Sequence, residues 1–220
     1  MQLVTILDIE TIAQPESEIR SKLQPFDANK VALGVLKDPD KIMAKIMEAE
    51  ANHGNAEVER AALSAETGIV AISGMMNDSI HQFADSEEDV IAKTFDKMMQ
   101  VFSGGGIISG WNVKGFDLPF LVKRAWLIGV KVPARIFNPL KPRYPWSDSI
   151  IDLMEVWKAG QYTEKHTSLN AALRHLGLPE KTGLGADFGN LWASDKGAAL
   201  AYNADDLDRE LKVAMRLLSH

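Results

Sequence analysis

The sequence predicts an α/β fold in which a mixed five-stranded sheet carries helices on both faces. Strand-like segments bunch early in the chain: 2–8 and 68–76 are apolar runs with β-branched residues, and 79–83 reads as a short third. From residue 86 onward, helix-like and strand-like segments alternate. The chain has 220 residues, 46% of them hydrophobic, which is enough to bury a full core.

Residues 2–8 (QLVTILD) read as a buried strand because the run is almost continuously apolar. Residues 11–37 lack a clean period. Asp38-Pro39 then offers an N-cap followed by proline at the first helical position. Ile42, Met43, Ile46 and Met47 recur at helical spacing and predict an amphipathic helix over 40–52. Residues 68–76 (GIVAISGMM) and 79–83 give the second and third strands. A helix over 86–102 has an acidic first turn and stops at Gly104-Gly105-Gly106. A fourth strand at 107–111 leads into a helix over 116–128. Residues 133–147 hold four of the nine prolines, with Lys141, Arg143, Tyr144 and Trp146 among them, and form a loop. A fifth strand at 149–153 follows, then a helix capped by Thr167 or Ser168 and ending before Gly177, and a last helix over 203–218. No repeat, low-complexity tract or linker interrupts the chain, so one domain over 1–220 is expected, with a helical insertion at about 11–67.

Composition narrows the function. The chain has no cysteine, which excludes disulfides and thiolate metal sites. The N-terminus lacks a basic stretch and carries acids at positions 8 and 10, unlike a signal peptide. No apolar run approaches the ~20 residues of a membrane helix, so a cytoplasmic protein is expected. The net charge of −6 argues against a broad duplex-binding surface. Against a small grip on a strand end it weighs little, because cations bound at acidic site residues would offset that charge.

Three acidic motifs stand out. Asp8 and Glu10 are two apart at the end of the first strand, so both side chains leave one face. Asp85 with Glu87, and Asp208 with Glu210, repeat the spacing, but on predicted helices where residues two apart diverge. Two acids ending an apolar strand are costly to bury unless a cation balances them. Asn112 and Asp117 follow the fourth strand across a turn containing Gly115; alone they read equally well as a turn asparagine and a helix cap. Tyr202 and Asp206 are one helical turn apart. Tyr144 and Asp148 share that spacing, but Pro145 makes their segment a poor helix interior. Asp206 is expected to open the last helix, with Leu207, Leu211, Met215 and Leu218 on its buried side. Four carboxylates from three places can hold two divalent cations, and a nearby tyrosine can aim a water at a phosphodiester.

In this order the motifs resemble those of the DEDD superfamily of 3′-5′ exonucleases, which have an RNase H-like fold. Residues 110–121 (GWNVKGFDLPFL) resemble the second exonuclease motif in proofreading domains of family B DNA polymerases. The resemblance runs from Asp8 to Asp206, nearly the whole chain. Tyr202 matches the tyrosine type of the superfamily; the histidine type would carry its histidine at Ala201. The long stretch between the first two strands departs from the pattern. Its Lys41 and Lys45 read more readily as a solvated helical face than as a grip on a strand backbone.

The resemblance implies stepwise hydrolysis from a 3′ end with release of nucleoside 5′-monophosphates. Asp8, Glu10 and Asp206 would hold one divalent cation, and Asp8 would bridge to a second supported by Asp117, the two ions ~4 Å apart. Hard oxygen ligands suit Mg2+ or Mn2+. Tyr202 would orient the attacking water, and Asn112 would hydrogen-bond the terminal nucleotide. Phe116, with the backbone around Ile9 and Thr11, would contact its base. The expected substrate is single-stranded nucleic acid with a free 3′ end, and replication or repair proteins are candidate partners. DNA is favoured over RNA only by the middle motif, so an exoribonuclease remains open, as does a non-catalytic nucleic-acid or polymerase-binding module. The 133–147 loop reads equally as a grip on nucleotides and as aromatics packed under a surface loop.

Overall fold

The computed structural model describes residues 3–161, 166–181 and 187–218. The chain divides into two compact units: Met1–Ile12 with Ile69–His220, and Ala13–Gly68. Five strands, β1 (Val4–Ala13), β2 (Gly68–Met76), β3 (Ile80–Phe83), β4 (Ile107–Gly110) and β5 (Ile150–Asp152), form one sheet in the order β3-β2-β1-β4-β5. β2 and β3 are antiparallel, with Ser73 opposite Phe83. β1 pairs parallel with β4, Ile6 opposite Ser109, and β4 pairs parallel with β5, Gly110 opposite Asp152. The carboxyl ends of three parallel neighbours therefore lie side by side, the place where open α/β sheets take ligands.

β1 runs further than the strand predicted at 2–8. Ile9, Thr11 and Ile12 are β-branched and prolong it, so Asp8 and Glu10 sit within the strand and not at its end. Alternation sends Ile6, Asp8 and Glu10 to one face and Leu7 and Ile9 to the other. Ile6 there joins Leu153, Leu173, Leu207 and Val213 in an apolar cluster.

In the Ala13–Gly68 unit, α1 (Glu16–Ser21), α2 (Pro39–Ala51) and α3 (Asn55–Glu59) are helical. Arg20 ties its parts together, donating to the His53 carbonyl and the Asn55 side chain, each at 2.9 Å. α2 starts where its cap predicts, with the Asp38 carboxylate accepting from the Asp40 and Lys41 amides. No residue of α2 is buried, and on its apolar stripe Met43 and Met47 are 59% and 62% exposed. Helical spacing reports the period of a segment and not what covers it.

The remaining helices belong to the larger unit. α4 (Glu87–Ser103) is capped by Ser86 and packs against β3, β4 and α5 (Asp117–Ile128). A buried pair joins these helices: Arg124 donates to both Glu87 oxygens, at 2.7 and 2.5 Å, and Glu87 also accepts from the Val70 amide at 2.9 Å. Paired at both carboxylate oxygens and tied to the Val70 amide, these charges hold a fixed geometry. α6 (Leu153–Trp157), α7 (Leu169–His175), α8 (Phe188–Ser194) and α9 (Lys196–Leu217) complete the unit. α6 and α8 are too brief to show a period in sequence. α9 begins about two turns before the expected residue 203. Asp195 caps it, accepting from the Ala198 amide at 2.9 Å, and the helix tolerates Gly197 in its first turn. Asp206 consequently lies in the helix interior and does not open it. Among the described residues no helix is long and apolar enough to cross a membrane.

Candidate active site

The site is built where α9 crosses the sheet. Gly74 of β2 permits that crossing, because a Cβ there would collide with the side chains of Asn203 and Leu207. Asn203, fully buried, donates from Nδ2 to Asp8 Oδ2 at 2.8 Å. Its Oδ1 accepts from Gln82 Nε2 at 3.0 Å, and Gln82 also donates to the Leu200 carbonyl at 2.8 Å. Asn203 is thereby oriented with its NH2 toward Asp8.

One oxygen each from Asp8, Glu10 and Asp206 lie within 4.8 Å of one another. Asp117, the first residue of α5, is buried and accepts from the Ile9 amide at 3.1 Å, between the two β1 acids. Three sequence-distant motifs thus meet at one place. Tyr202 lies one turn before Asp206, its ring centroid 5.9 Å from that of Phe188. Asn112 and Phe116 flank the turn that leads to Asp117, and Phe116 packs on Phe120 at 5.6 Å. The Ile9 side chain is buried and its amide is engaged by Asp117, while Thr11 is half-buried on β1. Tyr144 and Asp148 stand in the loop before β5, with Tyr144 73% exposed.

Burial sets the electrostatics. It pushes the Asp8 carboxyl up to about 7, with Lys181 opposing and Asp206 adding to the rise. Burial also raises Glu10, reinforced by Asp8 and Asp206, and raises Asp117, reinforced by Asp8. Asp206 is raised by burial against the pull of Lys181. The Lys181 ammonium is paired with Asp206 and lies 5.9 Å from the Tyr202 ring centroid. Burial works against the Lys181 charge, but Asp206 and Asp8 outweigh it and its pKa is raised. Burial followed by Asp206 raises the Tyr202 phenol, so it is a neutral donor at pH 7. The single charge of Lys181 does not balance Asp8, Glu10 and Asp206 once all three are ionised, with Asp117 beside them. The donor set, all hard oxygen and free of sulfur and imidazole, fits added divalent cations of the Mg2+ or Mn2+ kind.

Two further buried carboxylates grip the turn after β4. Glu210 accepts from the Trp111 amide at 2.9 Å. Asp152 accepts from the amides of Asn112, Lys114 and Met154 at 3.1, 2.9 and 2.9 Å. So held, Asn112 takes a left-handed φ of 61°, a conformation asparagine tolerates better than most residues. Asp152→Ala would leave three amides without their acceptor, at about 1–3 kcal/mol for each one kept from water. A clear fall in the denaturant midpoint is expected, with Asp152→Asn milder because one carbonyl oxygen remains.

Sequence reasoning missed Asn203, Gln82, Asp152, Glu210 and Lys181. Glu210 carried a signal: it continues the four-residue spacing of Tyr202 and Asp206 on the same helical face. Lys181 carried none, since nothing local distinguishes it from other lysines.

Residues 61–207 match the model of a family described as a predicted 3′-5′ exonuclease related to the exonuclease domain of PolB. The structure is similar to that of the family B DNA polymerase from the hyperthermophilic archaeon Pyrobaculum calidifontis, with a TM-score of 0.63 at 20% identity. That similarity covers 99% of this chain and 25% of the polymerase chain, and it makes the fold RNase H-like. No curated protein matches the chain. The family match takes in more than half the chain and reaches past Asp206, so the protein belongs to the predicted 3′-5′ exonucleases related to the exonuclease domain of PolB.

Proposed function

We propose that the protein is a metal-dependent 3′-5′ exonuclease that hydrolyses single-stranded DNA from its 3′ end and releases nucleoside 5′-monophosphates. The observation that carries this reading is the convergence of Asp8, Glu10 and Asp206 oxygens within 4.8 Å. Kinship with the exonuclease domain of PolB supports the polarity and the choice of DNA.

Asp8, Glu10 and Asp206 would hold one divalent cation, and Asp8 with Asp117 a second. When bound, such a pair supplies electrostatic stabilisation of the attacking and leaving oxygens of an in-line displacement. The protein's own groups do the positioning. Tyr202, with its raised pKa, keeps its proton and donates a hydrogen bond that orients the attacking water; it is no general base. Lys181 offsets carboxylate charge beside Asp206 and stands over the Tyr202 ring. Asn112, held in its turn by Asp152, presents its side-chain amide to the terminal nucleotide. Phe116 and the β1 backbone near Ile9 and Thr11 border the end base.

Digestion of single-stranded DNA and RNA oligonucleotides, labelled at either terminus, tests the reading. In Mg2+ or Mn2+ a 5′-labelled DNA strand should shorten stepwise, while a 3′ label should leave at once as a mononucleotide. Internal cuts, or product formed equally well in chelator, would contradict it; faster digestion of RNA would move the reading to an exoribonuclease. Tyr202→Phe is expected to lower kcat about 10–100-fold, as loss of a supporting hydrogen bond typically does. Mn2+ titration of that variant should give the affinity of the unaltered protein.

A further inference from the structure

A cavity of about 660 Å3 opens along β5, between the turn after β4 and the loop that precedes β5. Asn112 and Lys114 border it on the side of the turn after β4, and Arg143, Tyr144 and Trp146 of the 133–147 loop border it on the other. We propose that it holds the nucleotides upstream of the scissile linkage, with Tyr144 stacking on a base and Arg143 and Lys158 meeting the phosphates. This inference rests on the exonuclease reading and names the strand path that serves the same site.

The loop is anchored where it needs to be rigid. Phe137 and Trp146 form a backbone bridge, their rings edge-on at 5.3 Å, and Trp126 packs on Phe137 at 5.5 Å. Tyr144 stays out of that packing. It is 73% exposed, and the Arg143 guanidinium lies 5.5 Å from its ring centroid. An exposed aromatic ring beside a guanidinium, on an anchored loop, suits stacking on a base of any sequence.

The lining carries three cations, Lys114, Arg143 and Lys158, and three carboxylates, Asp148, Asp152 and Glu155, two of them already engaged within the protein. Lys114 is paired with Glu155 at 3.0 Å, and the Asp152 carboxylate faces three backbone amides. Asp148 is exposed. Arg143 and Lys158 add two cations to the lining. Position favours the upstream nucleotides over the terminal one. Two strand spacings, about 10 Å, separate β5 from the β1 carboxylates, and the far end of the cavity is made of exposed residues through which a chain can continue.

The test compares two substrates of the complete protein in Mn2+: the p-nitrophenyl ester of thymidine 5′-monophosphate, which has no upstream nucleotide, and an oligothymidylate of about ten nucleotides. Tyr144→Ala is expected to raise KM for the oligonucleotide about 5- to 150-fold, the usual worth of one stacked base. Hydrolysis of the ester, which offers nothing to stack on Tyr144, should stay within about twofold and reports that the variant is folded. Tyr144→Phe should restore oligonucleotide KM. Arg143→Ala should flatten the dependence of log KM on log salt by about 0.7, the share of one phosphate on a single strand. Equal losses on both substrates, or an unchanged oligonucleotide KM, would overturn the proposal while leaving the exonuclease reading intact. If the unaltered protein hydrolyses neither substrate, both readings fail.

Discussion

Asp8→Ala and Asp206→Ala are each expected to abolish turnover, with losses well beyond the roughly 10–100-fold that removal of a supporting partner causes. Asp8 sits among Glu10, Asp206, Asn203 and Asp117, and its oxygens are the ones both proposed cations would share. Asp206 faces Lys181, so its removal also releases an ammonium toward Asp8. Each removal leaves one partner without its acid, Asn203 Nδ2 for Asp8 and the Lys181 ammonium for Asp206, but also ends the burial of a carboxyl group, so both variants should keep their fold. Single-turnover digestion of a labelled strand, with a thermal melt as control, measures both effects. A folded Asp8→Ala protein that digests at the unaltered rate would falsify the assignment.

The second large effect is a pH-dependent response to cations. In the metal-free protein Asp8 holds its proton up to about 7, whereas an unfolded aspartate releases it near the ordinary value of 3.8. Between these values the folded state binds more protons than the unfolded one. Stability contributed by this group is therefore full below the unfolded pKa and is lost as pH rises through the folded one. Burial raises Glu10, Asp117 and Asp206 in the same direction. A divalent cation binds the deprotonated carboxylates and so reverses the trend at higher pH. At a hundred times Kd, Mn2+ should stabilise the protein by about 2.7 kcal/mol, which at roughly 2–4 °C per kcal/mol is a rise of about 5–10 °C in Tm. That rise should appear near pH ~8 and shrink toward pH ~5.5, on the acid side of the Asp8 titration. Calorimetric melts at the two pH values check it; an equal or larger shift in acid would contradict the proton linkage.

Much of this site was legible because its chemistry is local. Two acids two apart on a β-branched run, and a tyrosine one turn before an acid, carry their geometry in their spacing, and the structure brings Asp8, Glu10 and Asp206 together. What spacing leaves out is long-range. The bonds from Trp111 to Glu210, Asn112 to Asp152 and Asn203 to Asp8 join residues 99, 40 and 195 positions apart, and no periodicity announces them. The same limit explains α2, whose period was read correctly while Met43 and Met47 of its apolar stripe stay exposed. It does not cover α9, whose earlier start rests on the Asp195 cap, a local signal present in the sequence.

Every role proposed for this site requires Asp8, Glu10, Asp206 and Asp117 to act as one centre for divalent cations. Anomalous scattering from crystals soaked in Mn2+ would locate the ions themselves. The expected map has a peak enclosed by Asp8, Glu10 and Asp206, and a second between Asp8 and Asp117. Mn2+ bound only elsewhere on the protein, with Lys181 still filling the space beside Asp206, would rule that centre out.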